Sequence, residues 1–162
     1  MNSAYAVEVA PLIAEIPEFD DVLCSHYSFA GVHGLMYLFH DKTEAEQAAD
    51  LCREAGLLEE IHPLICLENA AEGELFADYG FKAGERVYLF KDLVSAFTLE
   101  CSAPDEARMA KLQIEEHLAA AGGTDSSLFF TDRQMCTLMT GIARAYGCKA
   151  LFLDLDKRLK KL

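Results

Sequence analysis

Apolar and polar positions follow one another in short blocks, and the period within each block predicts its element. Gly34–His40 is a strand-like apolar run. Thr43, with Glu46 three residues on, predicts a capping box. Ala45, Ala48, Ala49, Cys52 and Ala55 then keep helical spacing, and Gly56 stops the helix. Leu64–Leu67 is apolar at every position, which predicts a strand buried on both faces, as in a parallel sheet. Asn69 is the expected N-cap of a helix carrying Ala71, Leu75 and Tyr79, ended by Gly80, and Arg86–Phe90 is the next strand.

The second half repeats this grammar. Residues 95–101 read as a strand, and Pro104 opens a helix that runs to Gly122–Gly123. Residues 127–130 form a strand, and Thr131 with Gln134 makes a second capping box. Met135, Leu138, Met139, Ile142, Ala143 and Tyr146 then line one helical face, Gly147 stops it, and 149–153 is the last strand. Residues 34–91 and 95–157 thus both read β-α-β-α-β. Tyr79-Gly80 and Tyr146-Gly147 are each followed, one residue later, by Lys-Ala. Either one ancestral unit was duplicated, or the two halves share only the grammar of helix stop and strand start. Residues 1–33 are an N-terminal extension with two indicated pieces, a strand over Ala4–Val9 and a short helix over Pro11–Ile16. The expected fold class is α/β: a single three-layer domain over 1–162, with helices flanking a mixed or largely parallel sheet.

Composition narrows the functions. The chain has 162 residues, 27 acidic and 14 basic, for a formal net charge of −13. Residues 1–80 hold 16 of the acids against only Lys42 and Arg53. Such a surface repels phosphate backbones and argues against nucleic acid as a partner. It suits a basic protein, whose association complementary charge would speed. Lys157, Arg158, Lys160 and Lys161 form a small basic tail.

No run approaches the roughly 18 apolar residues of a membrane span. Met1–Ile16 has no early Lys or Arg and is interrupted by Glu8 and Glu15, unlike a signal peptide. The six cysteines, Cys24, Cys52, Cys66, Cys101, Cys136 and Cys148, form no CxxC pair and mostly lie in apolar contexts. They read as reduced, buried thiols of a cytoplasmic protein, with no metal site.

Residues 43–91 carry a family pattern. Cys52–Gly56 ends a helix, Leu64–Leu67 is an apolar strand, and Asn69 stands eleven residues before Gly80-Phe81. Leu75-Phe76 precede that pair, and Lys82–Phe90 follows as a strand. This third of the chain resembles the C-terminal half of the GCN5-related N-acetyltransferases. The resemblance implies their fold, an acetyl-CoA cofactor, and a role for Asn69 in positioning reactants. Two departures stand out. The pyrophosphate-binding glycine loop should precede the Thr43 helix, where Phe39–Thr43 has no glycine. The tyrosine that often serves as general acid falls on Phe76, which has no proton to give.

His26, His33 and His40 recur every seven residues, but Gly31 and Gly34 break any common helix. Asp154 and Asp156 resemble the haloacid-dehalogenase aspartates, yet Lys157 and Arg158 follow instead of Gly-Thr. Ligands of open α/β sheets sit beyond strand ends. That places candidate binding residues at His40, Asp41, Asn69, Thr131 and Asp132. The leading expectation is a non-catalytic acidic binding or regulatory module without a cofactor. The alternatives are an acyl-CoA-dependent N-acyltransferase and an immunity or antitoxin protein masking a basic effector.

Overall fold

The computed structural model describes residues 1–122 and 127–159. Its strands form two sheets, and every pair of neighbouring strands is antiparallel. The expected α/β domain with a mixed or largely parallel, acetyltransferase-like sheet is therefore overturned.

The first sheet contains β1 (Asn2–Val9), β2 (Gly31–His33), β3 (Met36–Phe39) and β4 (Leu58–Glu68). Helices α1 (Pro17–His26) and α2 (Lys42–Glu54) connect them. The strand order β2-β3-β1-β4 makes this a split βαβ unit, β-α-β-β-α-β. Residues 1–33 thus supply the strand that pairs with both β3 and β4.

A linking segment follows: β5 (Ala70–Glu72), α3 (Phe76–Tyr79), β6 (Gly80–Ala83) and β7 (Arg86–Phe90). The β6–β7 hairpin extends the first sheet from β4, whereas β5 joins the second. The second sheet holds β8 (Val94–Cys101), β9 (Leu118–Gly122), β10 (Phe129–Asp132) and β11 (Cys148–Phe152), with α4 (Pro104–Ile114) and α5 (Cys136–Ala145). Its order β9-β10-β8-β11 repeats the first unit strand for strand. A short α6 (Leu155–Arg158) follows.

The repeat is therefore β-α-β-β-α-β over 2–68 and 94–152, not β-α-β-α-β over 34–91 and 95–157. The two Tyr-Gly-x-Lys-Ala segments lead into β6 and β11, which are not equivalent strands. Their likeness is only the grammar of helix stop and strand start.

The doubly buried strand at Leu64–Leu67 is real, but its cause differs. The first sheet curls until its outer strands β2 and β6 meet, where His33 stacks on Phe81 at 4.3 Å. Ala4, Ala6, Leu38, Leu64, Cys66 and Tyr88 fill the inside of this near-barrel. On the outer face Val7, Val9 and Phe39 pack against Ala45, Ala48 and Ala49 of α2. Further along, Ile65, Leu67, Val87 and Leu89 pack on Val94, Ala96 and Phe130 of the second sheet. Parallel pairing is not needed to bury both faces.

Two helix expectations also change. Asn69 adopts φ +55° between β4 and β5 instead of capping a helix, and the helix there is only Phe76–Tyr79. The helix from Pro104 stops at Ile114, and Leu118–Gly122 becomes β9. Gly123 lies outside the described residues, as do Lys160 and Lys161 of the basic tail. Gly73 permits the close approach of β9, because a Cβ there would stand 2.1 Å from the Leu118 carbonyl oxygen.

The cysteines are not all reduced: Cys101 and Cys148 form a disulfide. Among the free ones, Cys52 and Cys66 are buried, but Cys24 is exposed and Cys136 partly so. No helix among the described residues is long and apolar enough to cross a membrane.

The inter-sheet core is the most sensitive packing site. Phe130 is fully buried there, so Phe130→Ala should cost about 3–5 kcal/mol in urea unfolding. Leu112→Ala, on the exposed side of α4, should stay within about 0.5 kcal/mol.

Candidate metal centre

The expected site residues fall in two groups, His40, Asp41 and Asn69 at one end of the first sheet and Thr131 and Asp132 on the second. His40 and Asp41 follow β3. Asp41, two residues before the expected Thr43, is the N-cap of α2 and accepts the Glu44 N–H at 2.8 Å. This carboxylate occupies the helix N-terminus that the acetyltransferase resemblance assigns to pyrophosphate. His40 Nε2 accepts from the Arg86 guanidinium at 2.9 Å, and the ring stacks on Tyr88. Desolvation, then the Arg86 charge, lowers its pKa and so favours the neutral imidazole. Asn69 adjoins Glu68, which pairs with Arg86 at 3.7 Å.

Thr131 and Asp132 lie on the other sheet. Thr131 is fully buried, and its hydroxyl donates to the His117 carbonyl at 2.7 Å. Asp132 caps the turn into α5 by accepting from the Gln134 N–H at 2.7 Å, and it also accepts from the Tyr79 hydroxyl. These are capping and structural tasks. His33 and His40 stand at opposite ends of the β2–β3 hairpin, and His26 bonds the Val22 carbonyl within α1.

A different set converges. Along β1 the inward positions run Ala4, Ala6, Glu8; along β4 they run Glu60, His62, Leu64, Cys66. Period-two alternation thus ends each apolar inward row in charged or imidazole groups at one mouth of the near-barrel. Glu8 lies directly across from Glu60, and His62 across from Ala6. One donor atom from each of Glu8, Glu60 and His62 falls within 4.8 Å of the others. His62 Nε2 stands 2.6 Å from a Glu8 carboxylate oxygen. Phe90 holds the imidazole edge-to-face at 5.4 Å.

Two features set this cluster apart from an ordinary ion pair. Like charges directly opposite on paired strands destabilise the pair. The register also slips here: Glu8 pairs with Glu60 but Val9 with Leu58, leaving Glu59 extra. Such a bulge re-aims side chains and is frequent beside functional sites. A cavity of about 380 Å³ opens next to the cluster, lined by Glu60, His62, Asp78, Phe90, Asp92 and Leu93. It forms where β4 runs on past its pairing with β7, which begins at Leu64.

An imidazole with two carboxylates suits zinc, manganese or ferrous iron. With three protein ligands, such an ion would keep further positions for water or a small molecule. The expectation of no metal site rests on the cysteine spacing and on His26, His33 and His40, whereas Glu8 and His62 are 54 residues apart and share no local pattern. The available signal was polar residues closing two alternating apolar rows. No protein-family model, curated protein or solved structure matches this chain.

Glu60 is exposed and has no ion-pair partner among the described residues. Glu60→Gln should therefore stabilise the metal-free protein by about 0.5 kcal/mol in urea unfolding with a chelator present. A loss of stability would mean that the carboxylate serves the fold.

Tyr79 and Asp132 give a pH test. The Asp132 hydrogen bond, with smaller help from burial, pushes the Tyr79 pKa up to about 12. Its contribution is complete below the ordinary tyrosine value of 10.0 and is lost as pH rises towards about 12. The same bond, followed by the Gln134 N–H, lowers the Asp132 pKa. That contribution is present above the ordinary aspartate range and is lost as pH falls through the lowered value. Tyr79→Phe should cost about 1 kcal/mol at neutral pH and flatten both limbs of the stability profile.

Proposed function

We propose that this chain is an acidic binding module whose ligand is a divalent transition-metal ion held by Glu8, Glu60 and His62. The observation that carries this reading is the facing pair of glutamates with the His62 imidazole within 4.8 Å of both. A cation turns this repulsive arrangement into a favourable one. Phe90 packs against His62 and limits its rotation, so little orientation is lost on binding. Asp78 and Asp92 on the cavity wall add negative potential along the approach.

A second reading rests on a separate observation. Glu15, Glu18, Asp21, Glu54 and Glu59 are exposed and lack ion-pair partners among the described residues. They belong to the 1–80 segment with only two bases, and they favour a basic protein partner at low salt.

Titration calorimetry of chelator-treated protein with zinc or manganese tests the first reading. The expected result is one bound ion per chain. At an ion concentration of about 100 times Kd, the gain of about 2.7 kcal/mol should raise Tm by roughly 5–10 °C. His62→Ala and Glu8→Gln should each weaken binding at least roughly tenfold. Absence of binding, or binding indifferent to both substitutions, would refute the site. Salt-sensitive capture of a basic protein, unchanged in His62→Ala, would favour the second reading instead.

A further inference from the structure

Cys101 ends β8 and Cys148 opens β11; they lie directly opposite one another, with Cα atoms 4.3 Å apart. That is the close spacing of a non-hydrogen-bonded antiparallel pair. The disulfide fastens one end of β11, an outer strand whose one neighbour in the sheet is β8. Both cysteines line a solvent-open depression of about 660 Å³, together with Ser102, Gly147 and Lys149. Cys101 is partly exposed, whereas Cys148 is 8% exposed. An incoming thiolate therefore reaches the Cys101 sulfur more readily.

What β11 holds gives this bond a consequence. The strand runs directly into Leu153 and Leu155, which pack with Leu159 on the core between the two sheets. Leu153 N–H donates to the Ala96 carbonyl at 2.9 Å, and Asp156 of α6 pairs with Lys91. Residues 148–159 are thus one strap that forms the edge of the second sheet and runs into the inter-sheet core. The disulfide secures its beginning.

We propose that Cys101–Cys148 is a reversible thiol–disulfide site, a redox latch on this strap worked by a dithiol reductant. One thiolate of the dithiol attacks Cys101 Sγ. The Cys101–Cys148 bond breaks, and Cys148 leaves as a thiolate that takes up a proton. The second thiol of the dithiol then attacks its own mixed-disulfide sulfur and releases Cys101. Two electrons and two protons pass to the protein, and the dithiol becomes a cyclic disulfide. The reduced strap keeps its strand pairing but loses its covalent end. Opening therefore starts at Cys148 and spreads towards Leu159.

The test treats the full-length chain with millimolar dithiothreitol, without denaturant, followed by alkylation and peptide mass mapping. Amide hydrogen exchange is measured in both states. Cys101 and Cys148 should be protected before treatment and fully alkylated after it. Exchange in 148–159 should rise at least roughly tenfold on reduction, with the rest of the second sheet little changed. The Cys101→Ser/Cys148→Ser double variant should exchange like the reduced protein whether or not reductant is present. A bond that resists dithiothreitol until the protein unfolds would overturn the proposal. So would free cysteines in air-oxidised protein, or reduction that leaves exchange in 148–159 unchanged.

Discussion

The first sheet has apolar side chains on both faces of the same strands, and a single flat layer cannot bury both. Ala4 and Ala6 face one way along β1, while Val7 and Val9 face the other. β4 shows the same division, with Leu64 and Cys66 inward and Ile65 and Leu67 outward. The sheet meets this demand by curling on itself and by sharing its outer face between α2 and the second sheet. Small residues make the curl possible, because Ala4 and Ala6 leave room for Leu38, Tyr88 and Phe81 inside. Most of the remaining architecture follows from that closure.

Closure also creates two mouths of different chemistry. At one, Arg86 donates to His40 and pairs with Glu68, so each charge has a partner. At the other, Glu8 pairs with His62 while Glu60 beside them has no ion-pair partner among the described residues, and negative charge is left in excess beside an open cavity. The same alternation that packs the interior therefore delivers the donors, and the bulge at Glu8 aims them. Sequences that break a local rule without structural benefit often do so where they bind something.

Much of the element order was legible in the sequence. The alanine stripe of α2 and the Met139–Ala143 face of α5 followed helical spacing and lie where expected. Strand direction was not legible, because an apolar run such as Leu64–Leu67 reports burial on two faces and not what buries them. Leu118–Ala121 reads as helix because alanine favours helices, whereas here its backbone is paired on both sides, with β5 and β10. Asp41 and Thr43 are both N-cap residue types two positions apart, and local pattern favours Thr43, which instead lies in the first turn of α2. The disulfide is not legible in the sequence, because 47 residues separate its cysteines and no local pattern joins them. Glu8 and His62 likewise meet only through the register of β1 and β4.

The two units repeat one topology and use it differently. The first is curled, strongly acidic and open at its donor-lined mouth. The second lies as a layer between α4 and α5 on one face and the first sheet on the other. The most direct measurement of the central claim is a crystal structure grown with zinc, with anomalous data collected at the zinc absorption edge. The expected result is a single strong anomalous peak bonded to His62 Nε2 and to carboxylate oxygens of Glu8 and Glu60. A peak elsewhere on the chain, or none at this mouth, would contradict it.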